Sequence, residues 1–372
     1  MRVVYISSST IPSRAANSVH VMKMCQAFAK NGHDVVLLAP DAQGTEPGID
    51  DIFDFYGVKK CFKVEKLPWI NSKSRVIIYG FFAALRAKKL RPDLVYCRNL
   101  LGGFFSILAG LPVIYEVHDT FKHSNRFYKG IFDRFLHSKG IKKLVVISKA
   151  LGDHYRKQHN IPEHQIIVAP DGADELTEHG DKFPLDIEKL QIGYIGHLFP
   201  GRGVEVIYDL SRNCQWGEFH LIGGVQSDVD FWQEKAKDLP NLVIHGFVPH
   251  SETARYYRSF DVLIAPYQRQ VSVWGGQGDT AQWMSPLKLF EYMAAGKAIL
   301  CSDLPVLREI LTDEENALMC EPENNKSWRQ ALLRLKESPT LREKLGNEAK
   351  KQLLSNYTWQ VRAQRILESI PN

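Results

Sequence analysis

Residues 285–297 read Ser285-Pro286-Leu287-Lys288-Leu289-Phe290-Glu291-Tyr292-Met293-Ala294-Ala295-Gly296-Lys297. Ser285 suits a helix N-cap, and Pro286 suits the first helical position, where no amide hydrogen is required. The amides of Leu287 and Lys288 would then point out of the helix N-terminus. Together with the helix dipole they form an anion site suited to a diphosphate. Glu291 follows about one turn further in, where an acceptor-only carboxylate can take both hydroxyls of a ribose. An ordinary capped helix with a solvated glutamate is the competing reading of this segment taken alone.

A second segment, Gly193-Tyr194-Ile195-Gly196-His197-Leu198-Phe199-Pro200-Gly201-Arg202-Gly203, combines a strand, a glycine turn and a basic residue at a helix start. Gly196 would let backbone approach a ligand closely. Arg202 could grip phosphate oxygens with two parallel hydrogen bonds. A surface arginine after a turn is the alternative.

Other signals point elsewhere. His118-Asp119 is reminiscent of metal hydrolases, but the further ligands of such a site are not recognisable, and no metal is expected. Six cysteines are scattered without a C-x-x-C pair, which suggests neither a zinc ribbon nor a disulfide framework and fits reduced thiols in the cytoplasm. Neither a Walker loop nor a G-x-G-x-x-G after the first strand exists, which disfavours NTPases and dehydrogenases. Residues 125–139 interleave Phe127, Tyr128, Phe132 and Phe135 with cations. That helix either packs on the core or lies on an anionic membrane.

The elements that must position these residues follow from apolar periodicity. Strand-like runs fall at 3–6, 35–39, 94–97, 113–117, 144–147 and 166–169, with amphipathic segments between them, such as 19–29 with Val21, Cys25 and Phe28 on one face. Continuous apolar runs imply strands covered on both faces. Residues 174–188 are polar and carry Gly180 and Pro184, which reads as a linker. A second series follows at 191–195, 219–222, 242–244, 262–265, 298–301 and 317–319. The tail from 325 is helical, with breaks near Pro339 and Tyr357. The uncharged run 99–115 is broken by glycines and Pro112, so it reads as a helix, a turn and a buried strand, not a membrane span. At 372 residues, two α/β domains are expected.

Together the two segments resemble the retaining glycosyltransferases of family 4. The likeness extends to Gly246-Phe247-Val248, to Ser302-Asp303-Leu304-Pro305, to His33-Asp34-Val35, to His118-Asp119 and to Pro170-Asp171-Gly172-Ala173-Asp174. It implies the GT-B fold: two Rossmann-like α/β domains with parallel sheets facing a central cleft. Residues 1–180 would form the acceptor domain and 188–356 the nucleotide-sugar domain, with a helix at about 357–372 packing back on the first. The activity implied is transfer of a sugar from a nucleoside-diphosphate sugar to an acceptor hydroxyl, in glycan, polysaccharide or glycolipid synthesis. A sugar-nucleotide 2-epimerase on the same fold and a non-catalytic sugar-nucleotide-binding subunit are the alternatives.

By the same resemblance, His118, Arg202 and Lys288 are the catalytic candidates. Gly196, His197, Gly246, Phe247, Val248, Ser285, Leu287, Leu289 and Glu291 would hold the nucleotide-sugar. The family's first glutamate is replaced by Trp283, and Asp279 is the candidate substitute at the donor sugar. Ala16 and Asn17 stand where the family has a glycine loop facing the diphosphate. No cofactor and no nucleic-acid partner are expected. Residues 1–180 carry 25 Lys and Arg against 17 Asp and Glu. That excess suits an anionic, lipid-linked acceptor at the inner face of the cell membrane, with Lys122, Arg126, Lys129, Arg134, Lys142 and Lys143 as the residues that would draw it, and solvated surface charge is the competing reading.

Overall fold

The computed structural model describes residues 1–121, 125–176, 179–185, 188–272 and 279–370, apart from the side chain of Phe127. The chain divides into two compact units, Met1–Asp171 with Trp359–Asn372, and Gly172–Thr358.

The first unit holds strands β1 (Arg2–Ile6), β2 (Asp34–Asp41), β3 (Lys63–Pro68), β4 (Leu94–Cys97), β5 (Val113–Val117), β6 (Ile141–Val146) and β7 (Ile166–Val168). Its helices are α1 (Ala16–Lys30), α2 (Ile52–Tyr56), α3 (Arg75–Leu90), α4 (Leu100–Leu108), α5 (Arg126–Leu136) and α6 (Lys149–His159). All strands are parallel, in the order β3-β2-β1-β4-β5-β6-β7. Val3, Val4, Tyr5 and Ile6 of β1 are wholly buried, as expected of a central strand covered on both faces. Strand β3 is absent from the apolar pattern because Lys-Val-Glu-Lys-Leu-Pro is half polar. It pairs only with β2, at the sheet edge, where lysine and proline are tolerated.

The second unit holds β8 (Leu190–Ile195), β9 (Gly217–Ile222), β10 (Leu242–Gly246), β11 (Val262–Ala265), β12 (Ala298–Ser302) and β13 (Leu318–Cys320). Helices α7 (Val204–Asn213), α8 (Gln226–Lys235), α9 (Thr253–Ser259), α10 (Leu287–Ala295), α11 (Asn325–Glu337) and α12 (Pro339–Asn356) surround the sheet. The strand order β10-β9-β8-β11-β12-β13 is again parallel and doubly wound. In such sheets the order reverses at one point, here between β8 and β11, and the crevice beyond the strand carboxyl ends is where ligands bind.

The expected border needs correction. Residues from Gly172 belong to the second unit, so the first does not run to 180. Ala173 donates its amide to the Tyr357 carbonyl at 3.1 Å and is buried in the second unit's core. Leu176, Phe183 and Leu185 pack on the same core, so much of the polar stretch is anchored there by its few apolar side chains.

The last helix, α13 (Trp359–Glu368), lies in the first unit. Its Arg362 is buried and donates Nη2 to Glu116 Oε1 at 2.9 Å and to the Ala169 carbonyl at 3.0 Å, with Nε on the Pro170 carbonyl at 2.9 Å. Helix α5 buries Phe132 and Phe135, which identifies it as core-packed on that face. Its Arg126, Lys129 and Arg134 are exposed, Lys143 donates to the His164 carbonyl, and Lys122 lies outside the described residues. Among the described residues no helix is long and apolar enough to cross a membrane.

Removing one partner of a buried ion pair leaves the other charge uncompensated. Arg362→Ala should therefore destabilise the protein by about 3–5 kcal/mol. The exposed Arg334–Glu314 pair is the control, and Arg334→Ala should cost no more than about 1 kcal/mol. Denaturant melts of both variants check this, and equal small losses would contradict it.

Candidate functional site

In the second unit β8 ends at Ile195, and Gly196 follows with φ +153, a conformation L side chains rarely adopt. A Cβ at Gly196 would lie 2.8 Å from Lys288 Nζ and 2.9 Å from Lys288 Cε. The strand end therefore opens onto the lysine only because residue 196 has no side chain. The Lys288 side chain runs back from α10 to this point. Its Nζ sits 3.6 Å from the centroid of the Tyr194 ring and 5.3 Å from that of Tyr267. The residue is 8% exposed, and Nζ has no hydrogen-bond partner among the described residues.

Burial pushes the Lys288 ammonium well below its ordinary value, and the neighbouring Arg202 charge pushes it the same way, against a smaller pull from Glu291. Cation–π contacts with two tyrosines supply part of what water no longer does.

Arg202 is held by its glycine neighbours. Gly201 and Gly203 have φ +82 and +80, and a Cβ on them would lie 2.0 Å from the Gln270 carbonyl oxygen and 1.8 Å from the Pro266 one. The loop thus lies directly on the segment after β11. Arg202 donates Nη2 to the Ser272 carbonyl at 3.3 Å, and its guanidinium carbon is 5.5 Å from the Tyr267 ring centroid. The structure therefore gathers Gly196, Arg202 and Lys288 around Tyr267, at the point where the sheet order reverses. His197 stacks on Phe199, and its carbonyl accepts from the Tyr194 hydroxyl.

Helix α10 begins one residue later than its sequence suggests. Pro286 is the N-cap, with extended backbone at φ −74 and ψ 119, so Ser285 lies one residue outside. The proline carbonyl accepts from the Leu289 amide at 3.0 Å, closing the first turn, and the Leu287 and Lys288 amides occupy that turn. Leu289 is fully buried and fastens the helix to the core. Glu291 accepts from the Tyr257 hydroxyl and pairs with His250 Nε2, both at 2.7 Å. Two lone pairs per oxygen leave this half-buried carboxylate capacity for a ligand as well. Tyr257 and His250 as its supports were not singled out from sequence, although His250 opens a run of cap-forming polar residues before α9.

Gly246 ends β10 at φ +75, and its carbonyl accepts from Gly223 at 2.6 Å. The Gly223-Gly224 pair after β9 was missed, and a double glycine directly after a strand was the available signal. Val248 packs on the core, and Phe247 lies between it and Gly246. Asp279 Oδ1 accepts from the Val271 and Ala281 amides, both at 2.9 Å, so it ties together the ends of the segment before α10.

In the first unit Ala16 and Asn17 are the exposed first residues of α1, whose N-cap, Ala15, makes no side-chain cap. His118 follows β5 and bonds through Nε2 to Glu116. Burial and the Arg98 charge push His118 down to about 4, against the pull of Glu116. A neutral imidazole that donates Nε2–H to Glu116 presents Nδ1 as an acceptor.

The surrounding cluster was not legible from spacing. His20, Glu116, His118 and Asp171 offer ligand-type atoms within 4.8 Å of one another. His20 bonds Asp171 at 2.9 Å and lies 3.0 Å from Glu116. Burial alone would raise Glu116, but Arg362, His20 and His118 bring it well below the usual carboxylate range. A divalent ion on Glu116 would compete with Arg362, whose guanidinium already bonds that carboxylate.

Comparison with known proteins gives a consistent picture. The family model described as Glycosyltransferase Family 4 matches residues 18–175, and one described as Glycosyl transferase-like matches residues 204–368. An uncharacterised glycosyltransferase of Methanocaldococcus jannaschii is 20% identical over 92% of this chain and 90% of its own. The glycogen synthase of Mycobacterium tuberculosis is 22% identical over 92% and 87%. Among solved structures, a Rickettsia africae glycosyltransferase aligns with a TM-score of 0.76 at 13% identity, covering 99% of this chain and 97% of that one. The Anabaena HepE protein in complex with UDP aligns at 0.75 and 14% over 99% of both.

The Lys288 environment yields a stability test. Its folded-state value is depressed, so between that value and about 10.4 the unfolded chain binds more protons. Stability from this group therefore rises with pH across that window. Lys288→Met should raise the ligand-free thermal midpoint at neutral pH, with the gap to the native protein narrowing as pH rises. A lower midpoint in the methionine variant at neutral pH would contradict the buried, unpartnered ammonium.

Proposed function

We propose, from the premise that this chain is a glycosyltransferase of the family-4 type with the GT-B fold, that it moves a sugar from a nucleoside-diphosphate sugar to an acceptor hydroxyl with the anomeric configuration retained. The observation that carries the reading is the Lys288 ammonium, buried beside Gly196 and Arg202 with no acceptor among the described residues. A diphosphate is the chemistry that completes it: two negative charges and several acceptor oxygens of a size to lie over the glycine. The HepE complexes with UDP and with UDP-glucose support a nucleotide-sugar donor.

In this reading the Leu287 and Lys288 amides and the Arg202 guanidinium share the diphosphate with the ammonium. As the glycosidic bond breaks, the leaving oxygen gains charge, and these fixed donors stabilise it without reorganising. Glu291, held by Tyr257 and His250, takes the ribose hydroxyls. The backbone at Gly246, Phe247 and Val248 meets the base. Ser285 and Leu289 shape the helix start, and Gly196 and His197 border the phosphates. His118 as a group beside the transferred sugar, with Ala16 and Asn17 toward the diphosphate, rests on the family resemblance. Asp279 near the donor sugar rests on its place before α10. The acceptor is a glycan or lipid-linked hydroxyl, and the enzyme works in the cytoplasm, which the free cysteines support. Protein cations do the work a metal would otherwise do, so no metal cofactor is required.

A thermal-shift screen of UDP-, GDP-, ADP- and dTDP-sugars, followed by mass spectrometry of products, tests the reading. One donor should raise the midpoint and yield a product heavier than the acceptor by one sugar. Glu291→Gln should raise KM for that donor while leaving the fold intact. Turnover should persist in excess EDTA, and its loss on chelation with recovery in Mg²⁺ would overturn the metal-free account. A donor consumed by isomerisation without transfer would overturn the reading itself.

A further inference from the structure

Helix α3 in the first unit is built inside out. Its buried face consists of Tyr79, Gly80, Ala83, Ala84 and Ala87, mostly small residues. A Cβ at Gly80 would meet Leu101 at 2.8 Å, so α3 packs on α4 through backbone, not through large side chains. The large apolar residues point the other way. Ile77, Phe81, Phe82 and Leu85 are 36%, 45%, 47% and 41% exposed, and their spacing places them on one face. Ile70 (48%) and Leu108 (68%) are exposed in the neighbouring segment and helix, and Phe81 packs edge-on against Phe105 of α4 at 5.6 Å. Of the large hydrophobics exposed among the described residues, most fall in this one stretch of the chain. Residues 76–85 carry no charged side chain on any side of the helix, so its exposed face here is apolar and uncovered among the described residues.

The charge around this face is of one sign. From Lys66 to Pro92 the chain has seven Lys and Arg and no Asp or Glu. Lys66, Lys73, Arg75, Lys88, Lys89 and Arg91 are all exposed. The carboxylates that bracket the stretch are engaged elsewhere: Glu65 pairs with Arg86, and Asp93 accepts from the Arg2 amide. At the border the Arg75 guanidinium lies 5.7 Å from the Trp69 ring centroid. Aromatic and aliphatic side chains that sink a few ångströms, ringed by cations and a tryptophan, match the layering of a bilayer surface with anionic headgroups.

We infer that the exposed α3 face, with Leu108 of α4, docks this enzyme on an anionic lipid surface. The inference is independent of the donor-site reading, since docking needs no sugar nucleotide. It also differs from the expectation placed on α5, whose Phe132 and Phe135 are used in the core.

Vesicle flotation of the full chain tests it, with zwitterionic vesicles and with vesicles containing about 30% anionic phospholipid. The protein should float with the anionic vesicles, and the bound fraction should fall as the Debye length shrinks from about 10 Å at 0.1 M salt to about 3 Å at 1 M. The double variant Phe81→Ser/Phe82→Ser should lower the partition coefficient by about tenfold or more. The triple variant Lys73→Glu/Lys88→Glu/Lys89→Glu should do the same and supplies an independent readout should the serine pair misfold, which circular dichroism reports. Arg126→Glu/Lys129→Glu on α5 should change little. No flotation at low salt would overturn the inference, as would flotation that survives both α3 variants or is lost only with the α5 variant. Self-association of the native chain that the serine pair abolishes would also overturn it, assigning the face to a second copy.

Discussion

A lysine ammonium kept out of water, with no hydrogen-bond acceptor among the described residues, governs the layout of the second unit. Leaving a buried donor unsatisfied costs at least about 1–3 kcal/mol, more when it is charged. Lys288 bears that cost among Tyr194, Tyr267 and Arg202. Each nearby sequence feature follows from keeping it there. Gly196 makes room, Gly201 and Gly203 bring Arg202 down onto the segment after β11, and buried Leu289 and Phe290 lock the helix that carries the lysine. On the proposed reading the cost is paid by folding and recovered when the diphosphate binds, which is how a binding site is preorganised.

The first unit treats its buried charges in the opposite way. Glu116 and Asp171 are enclosed by Arg362, His20 and His118, and every one of these groups has an oppositely charged or hydrogen-bonding neighbour. Such a network specifies structure, since Arg362 fastens α13 to the carboxyl ends of β5 and β7, although His20 Nε2 approaches Glu116 at 3.0 Å without making a hydrogen bond. The contrast lies in charge pairing: the buried carboxylates of the first unit face Arg362 and two histidines, whereas Lys288 faces two tyrosines and another cation.

Much of this was readable from local pattern. Strands β4, β5 and β11 fall where their apolar runs lie, because a strand covered on both faces must be continuously apolar. β3 was not readable, because an edge strand has no such requirement. The Lys288–Glu291 helix and the glycines around Arg202 were visible because a helix start and tight glycine turns need particular residues at fixed spacing. Ser285 was misplaced by one residue, since Pro286 already supplies extended backbone at the cap. The supports of the site were hidden. His250 and Tyr257 lie 41 and 34 residues from Glu291, and Arg362 lies 246 residues from Glu116. Only the topology of the sheets joins them. The domain border was drawn late for a similar reason, because the anchoring of Ala173 to Tyr357 depends on a contact no linear pattern records.

The central claim is that Lys288 waits, deprotonation-prone, for the diphosphate. Binding an anion there raises the basicity of the amine, so at a pH between its values in the free and bound states complex formation takes up protons. Titration calorimetry of a nucleoside diphosphate, repeated in buffers of different ionisation enthalpy, counts them directly. The expected result is proton uptake in the native protein that vanishes in Lys288→Met. Tight binding with no uptake, or equal uptake in both proteins, would contradict it.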